Sequence, residues 1–297
     1  MYKEMQVLVK NMKQMTNGMF SQSKIDVQAC REFLAHSYAN QPKIPNVEVT
    51  EDKLNNIPIG ICTPKYLAGQ DSIYYVHGGG LITGDEKTAV VYAAQLALVS
   101  GLRVIAGSYR LAPEHKYPAS LDDTVAIYQG IREQYPDSQI AAIGESGGAY
   151  LSLALAVYCK MRHLPQSTCL VLNSVVADFS AKLPLPAAPH DYVVSVAGLK
   201  SLAKMYAKPE DIDNPLVSLI NADYKGLCPM RLTYDVHECL ESDSRFVIKQ
   251  CIENNVPVES AAYHDFFHAF ATAGLGTPES KVELSMSIKF MQEHFAH

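Results

Sequence analysis

The chain has 297 residues, 48% hydrophobic and 19% charged, with a formal net charge of -6 and a pI near 5.9. That length suits one large α/β domain or a core with a small cap, and the composition is far from the highly charged signature of disorder. The acidic balance offers no basic footprint, so neither nucleic acid nor a membrane is expected as a partner, and a small-molecule ligand fits better.

Residues 1–20 carry scattered Lys and Gln and no uninterrupted apolar stretch before a small-residue cleavage site, so no secretory signal is expected. No segment reaches the ~18 consecutive apolar residues of a membrane span. Seven cysteines, at 30, 62, 159, 169, 228, 239 and 251, form no CxxC pair or metal-ligand spacing. An odd number so spaced points to reduced, buried thiols and a cytoplasmic location rather than to a disulfide framework or a zinc site.

In chain order, residues 1–44 are Met- and Gln-rich and look helical. Strand-like runs follow at 47–49, 58–62, 72–76, 103–108, 139–143, 168–173, 230–234 and 258–263. Helical patterns are expected at 88–100, 120–134, 147–161, 242–254 and 278–294 from apolar residues at three- and four-residue spacing. Alternation of this kind predicts an α/β fold: a mostly parallel eight-stranded sheet with helices on both faces. The runs Ile73-Tyr74-Tyr75-Val76 and Ile140-Ala141-Ala142-Ile143 are apolar throughout, as central parallel strands covered on both faces must be. Two stretches break the pattern, residues 1–45 and about 177–227, the second with several prolines and a helix-like segment at 199–206. Both are expected to form a cap over the C-terminal strand ends of a catalytic domain spanning 46–297.

Gly144-Glu145-Ser146-Gly147-Gly148 lies directly between an apolar strand and a helical run. A serine raised on so tight a strand-to-helix turn needs small neighbours, because adjacent backbone comes close. The Gly147 N–H, at a helix start, would then aim at the reacting centre. Upstream, His77-Gly78-Gly79-Gly80 follows the strand 72–76, and consecutive glycines free backbone N–H groups to hold an oxyanion. Gly78, Gly79 and Gly147 are the expected donors. The chain has neither GxxxxGK[ST] nor GxGxxG here, which removes the nucleotide reading.

A serine hydroxyl needs a base oriented by a carboxylate. Among ten histidines His268 stands just past the last strand, at the same sheet end as Ser146. His264 is its nearest rival, and although four-residue spacing suits a metal pair on a helix, the preceding run is strand-like, so no metal is expected. The carboxylate should follow the strand 230–234, where Asp235, Glu238, Glu241 and Asp243 all qualify by position. Asp243 is explained by the helix dipole in a first turn capped by Ser242, which leaves Glu238 as the choice and Asp235 as the alternative.

These motifs, with Tyr109-Arg110-Leu111-Ala112-Pro113-Glu114, Pro118-Ala119, Asn214-Pro215-Leu216-Val217-Ser218 and His268-Ala269-Phe270, are similar in kind and order to the hormone-sensitive-lipase branch of the α/β-hydrolases. The resemblance covers about residues 72–270. It implies a carboxylesterase with a Ser, acid, His triad in that chain order, a glycine oxyanion hole, a helical cap formed partly by the N-terminus, and frequent dimers. It also implies that Arg110 and Glu114 are structural, as an ion pair or loop brace. The chain departs from the family at Ser108, where Asp is usual, at Glu145-Ser146-Gly147, where the motif is GDSAGG-like, and at Glu238-Cys239-Leu240 in place of Asp-Pro-Leu.

The expected chemistry is two-step acyl transfer on small esters through Ser146, Glu238 and His268, without cofactor. A lactonase, deacetylase or amidase would use the same residues, and a ligand-binding protein that has lost its chemistry would keep the pocket, so the fold does not choose among them.

Overall fold

The computed structural model describes residues 1–15, 20, 22–39, 41–185 and 191–295. Eight strands form one sheet: β1 (Val47–Leu54), β2 (Ile57–Pro64), β3 (Ser72–Val76), β4 (Arg103–Gly107), β5 (Ile140–Glu145), β6 (Leu170–Asn173), β7 (Met230–Asp235) and β8 (Val258–Tyr263). Their order is β1-β2-β4-β3-β5-β6-β7-β8, antiparallel at β1-β2 and β2-β4 and parallel beyond. All eight expected strands are present. The first is longer than its expected 47–49, because the five added residues, Thr50 to Leu54, pair with β2 across a hairpin turned by Asn55 and Asn56 at positive φ. Most of β1 is exposed at the sheet edge, so its sequence lacks the apolar signature by which buried strands are recognised.

Eight α-helices accompany the sheet among the described residues. α1 (Lys3–Met15) and α2 (Val27–Ala39) precede it; α3 (Glu86–Ser100), α4 (Ala119–Gln134), α5 (Gly147–Met161), α6 (Val196–Tyr206), α7 (Glu241–Glu253) and α8 (Pro278–His294) follow in chain order. Helix starts agree with cap chemistry: Asp85 accepts from the Thr88 N–H in a capping box, and Thr277 does the same with Ser280 ahead of Pro278.

The period-two alternation of a strand sorts β3 onto two cores. Tyr74 and Val76 join Leu121, Val125, Tyr128, Leu151, Leu155 and Val247 of α4, α5 and α7, whereas Ile73 and Tyr75 join Ala93, Ala97, Leu284 and Ile288 of α3 and α8. Both faces of the central strands are thereby dry, which accounts for their uniformly apolar sequence. The seven cysteines are thiols outside any disulfide, all buried. Among the described residues no helix is long and apolar enough to cross a membrane.

Topology brings four loops to one end of the sheet in two neighbouring pairs. β3 and β5 are neighbours, with Val76 opposite Gly144, so the glycine run after β3 lies beside the serine turn after β5. β7 and β8 are also neighbours, so the loop carrying Glu238 lies beside the loop carrying His268.

Candidate active site

Ser146 sits between β5 and α5 at φ 54° and ψ -121°, backbone space that a side chain adopts only under constraint. The constraint is visible. Its N–H donates to the Asn173 carbonyl at 2.9 Å, its carbonyl accepts the Tyr150 N–H at 3.0 Å, and a Cβ on Gly148 would stand 2.0 Å from the Val76 carbonyl oxygen. Only glycine permits that approach of α5 to β3, and the approach is what lifts the serine above the sheet.

His268, buried beyond β8, presents Nδ1 to Glu238 Oε2 at 3.1 Å. Its Nε2 is buried with no hydrogen-bond partner, in a ring that lines the same cavity as Ser146. Burial works against a charged imidazole here, yet the hydrogen bond and charge of Glu238 prevail and hold the His268 pKa above its ordinary value. Burial in turn pushes Glu238 up, to about 7, partly offset by His268, so the two titrate as a pair. Glu238 Oε2 also accepts the Ser174 hydroxyl at 2.8 Å.

The neighbouring carboxylates do other work. Asp235 accepts the His237 N–H at 2.8 Å and the Phe266 N–H at 2.9 Å, bracing the two loops; Asp243 accepts the N–H groups of Ala177 and Asp178; Glu241 pairs with Arg245 one helical turn on. The carboxylate set against His268 is therefore Glu238, and Asp235 is not. His264 is exposed, its ring edge-on to His237 at 5.9 Å, and shares no face with His268.

The glycine run differs from expectation at one residue. Gly78 does not offer its N–H to the cavity, because that group donates to Glu145 Oε1 at 2.6 Å. Gly79, Gly80 and Gly147 line the cavity, and their N–H groups have no protein acceptor among the described residues, so Gly80, unlike Gly78, keeps an uncommitted donor. Gly79 has φ 106°, and a Cβ there would stand 2.4 Å from Thr83 Oγ1, so this backbone admits no other residue without strain. His77, which leads the run, is stacked on Tyr109 at 4.3 Å and bonds the Gly78 carbonyl through Nδ1 at 2.7 Å. Its burial lowers its pKa and keeps it neutral, a brace rather than a base.

The cavity holds about 400 Å³ and is walled by Leu34 and Tyr38 of α2, by Phe179, and by Leu199 and Leu202 of α6, with Ser146 and His268 at its floor. Residues 186–190 of the expected 177–227 insertion lie outside the described residues. Arg110 and Glu114 do not pair with each other: Arg110 makes a bidentate bond to Asp123, and Glu114 one to Arg31 of α2. Three contributors escaped the sequence reading, Ser174, Glu145 and Asp191. Asp191 accepts the Cys239 N–H, and a carboxylate oxygen of it lies within 4.8 Å of ligand atoms of both Glu238 and His268. These three are, among the described residues, the one group with the composition of a metal site, but Glu238 and His268 are already committed to each other.

A family model described as the alpha/beta hydrolase fold matches residues 73–272. The chain belongs to that family. An acetyl-hydrolase of Streptomyces hygroscopicus is 26% identical over 80% of this chain and 81% of its own length, and an esterase of Acinetobacter venetianus is 28% identical over 89% and 85%. A solved hormone-sensitive lipase from a metagenome library superposes with a TM-score of 0.87 at 26% identity, covering 98% of this chain and 99% of that one. The mutant esterase E40 superposes at 0.91 with 22% identity, a likeness of fold alone. An alpha/beta hydrolase therefore frames the geometry above.

Proposed function

We propose that this alpha/beta hydrolase is a serine esterase acting on small carboxylic esters, with Ser146 as nucleophile, His268 as general base and acid, and Glu238 orienting the imidazole. The observation that carries the reading is the pairing of His268 Nδ1 with Glu238 while Nε2, buried and unpartnered, stays available in the cavity that Ser146 lines. An imidazole so held keeps the tautomer with its lone pair on Nε2, as removal of the serine proton requires.

Attack of the Ser146 hydroxyl on the ester carbonyl moves a proton to His268 and charge to the carbonyl oxygen. The N–H groups of Gly79, Gly80 and Gly147 hold that oxyanion, each fixed donor lowering the barrier by about 3 to 4 kcal/mol. His268 then protonates the departing alcohol, and water activated by the same imidazole releases the acid. No cofactor enters this sequence. α1, α2 and the 177–227 insertion act as the cap: Leu34, Tyr38, Leu199 and Leu202 supply an apolar wall against which a short acyl or alcohol chain can pack. One relative is named an acetyl-hydrolase and another an esterase, which supports a short acyl group and an ester bond for this chain.

Purified protein is assayed on p-nitrophenyl esters of increasing chain length beside Ser146→Ala. Turnover that is highest on short esters and abolished in the variant is expected. A folded S146A protein keeping most of its activity would refute the assignment, and failure of the native protein to label with a fluorophosphonate would favour a binding protein without chemistry.

A further inference from the structure

Glu145, the middle residue between Gly144 and Ser146, has no role in the chemistry above, yet its side chain points inward. Oε1 accepts two hydrogen bonds, from the Tyr75 hydroxyl at 2.9 Å and from the Gly78 N–H at 2.6 Å. Oε2 is buried with no partner. A Cβ on Gly78 would lie 2.9 Å from the Glu145 carbonyl oxygen and 3.0 Å from Oε1, so the glycine rests directly against this residue. The groups facing the carboxylate are the phenols of Tyr75 on β3, Tyr38 on α2, Tyr92 on α3 and Tyr109 after β4, together with the His268 imidazole. A carboxyl with a buried, unpartnered oxygen in such company, its pKa pushed up to about 7 by desolvation, is costly to keep unless it does something.

Three glycines in succession are the least self-ordering backbone a chain can offer, and Gly79 and Gly80 both stand at positive φ. Donors aimed at an oxyanion help only if they are in place before charge develops. The loop is anchored on its carbonyl side, where the Gly79 carbonyl accepts the N–H groups of Ile82 and Thr83, and where the Tyr109 hydroxyl reaches the His77 carbonyl. On the N–H side of the Gly78 peptide the anchor is Glu145.

Resting on the esterase reading, we propose that Glu145 is a positioning residue for the oxyanion hole: it withdraws the Gly78 N–H from the cavity and, through that bond, sets the following peptides so that Gly79 and Gly80 supply the donors. It acts through that peptide and not on the reacting atoms themselves.

The test compares Glu145→Ala, Glu145→Gln and S146A. Misalignment of two donors should lower kcat of E145A on p-nitrophenyl acetate about 10- to 100-fold with KM nearly unchanged, and weaken a trifluoromethyl ketone that forms a tetrahedral adduct by a similar factor. The amide oxygen of E145Q can accept the same two hydrogens, so that variant should recover most of the loss. E145A within about threefold of wild type in kcat, or E145Q as impaired as E145A, overturns the proposal. Amide hydrogen exchange on the wild-type chain decides the matter even if E145A fails to fold: the Gly78 N–H should exchange far more slowly than those of Gly79 and Gly80, and equal rates would overturn the assignment. Activity surviving in S146A would defeat the esterase reading instead, a result separable from both outcomes.

Discussion

Ser174, at the end of β6, donates its hydroxyl to Glu238 Oε2 at 2.8 Å and accepts the Ala269 N–H at 3.0 Å, so one side chain ties the acid to the loop that carries His268. A hydrogen bond to a buried charged group contributes about 1.5 to 3 kcal/mol net. Ser174→Ala should therefore lower kcat about tenfold or more while KM changes little, since the imidazole loses orientation rather than the pocket its shape. Steady-state kinetics on a short ester checks this, and a variant within about twofold of wild type would show that Glu238 needs no second anchor.

The proposed mechanism needs His268 neutral, so activity should rise with pH and level off once the raised pKa of the imidazole is passed. Glu238 is what raises that pKa. Glu238→Gln removes the charge, so the acid limb should move to lower pH even as the plateau falls steeply. A pH profile of kcat/KM for both proteins reads the shift; a limb that stays in place would mean that the carboxylate and imidazole do not interact as their 3.1 Å separation implies.

Arg31 fastens α2 to the catalytic body: Nε donates to the Ile82 carbonyl at 2.8 Å, one terminal nitrogen donates to the Ala112 carbonyl at 3.1 Å, and both terminal nitrogens bond Glu114. Glu114 is half exposed, so the ion pair itself is worth at most about 1 kcal/mol. The loss in Arg31→Ala should show mainly as a KM several-fold higher, with only a modest fall in the unfolding midpoint, because α2 carries Leu34 and Tyr38 of the cavity wall. Faster limited proteolysis between α2 and β1 would accompany it. Unchanged KM would indicate that this wall does not meet substrate.

Glu283 of α8 is fully buried and accepts Arg231 at 2.8 and 3.0 Å, the Thr233 hydroxyl at 2.6 Å and the Tyr263 hydroxyl at 2.8 Å, joining β7, β8 and α8. Arg231 also reaches the half-exposed Glu259 at 3.2 Å, but removing Glu283 strips the guanidinium of its buried partner, so Glu283→Ala should destabilise by about 3 kcal/mol. Replacing Arg231 and Glu283 together with Met should cost less than that single change, because neither charge is then stranded. Denaturant unfolding of the three proteins measures both effects. A single variant losing under about 1 kcal/mol would mean that Glu259 alone compensates the Arg231 charge.

The features legible in the sequence are those whose causes are local. β5 and the start of α5 are contiguous, so apolar run, tight glycine turn and helical period are read within about twenty residues, and Ser146 falls at their junction. The family motifs make His268 equally visible, and the alternation of strands and helices announces the parallel sheet. Where the chain is exposed the signal fades: most of β1 buries nothing, so only its pairing with β2 reveals its length.

What tertiary structure alone decided is the partnership of polar groups. Four carboxylates crowd into residues 235–243; Glu241 pairs locally with Arg245, and the other three are told apart only by partners far off in the chain: Asp235 by the Phe266 N–H, Asp243 by the backbone at 177 and 178, Glu238 by His268 and Ser174. The same holds for Gly78, whose N–H is claimed by Glu145 across 67 residues. Burial makes an unpaired polar atom expensive, so the fold pairs most of these donors and acceptors, but which partner each takes depends on strand order, and strand order is set by the packing of the whole sheet.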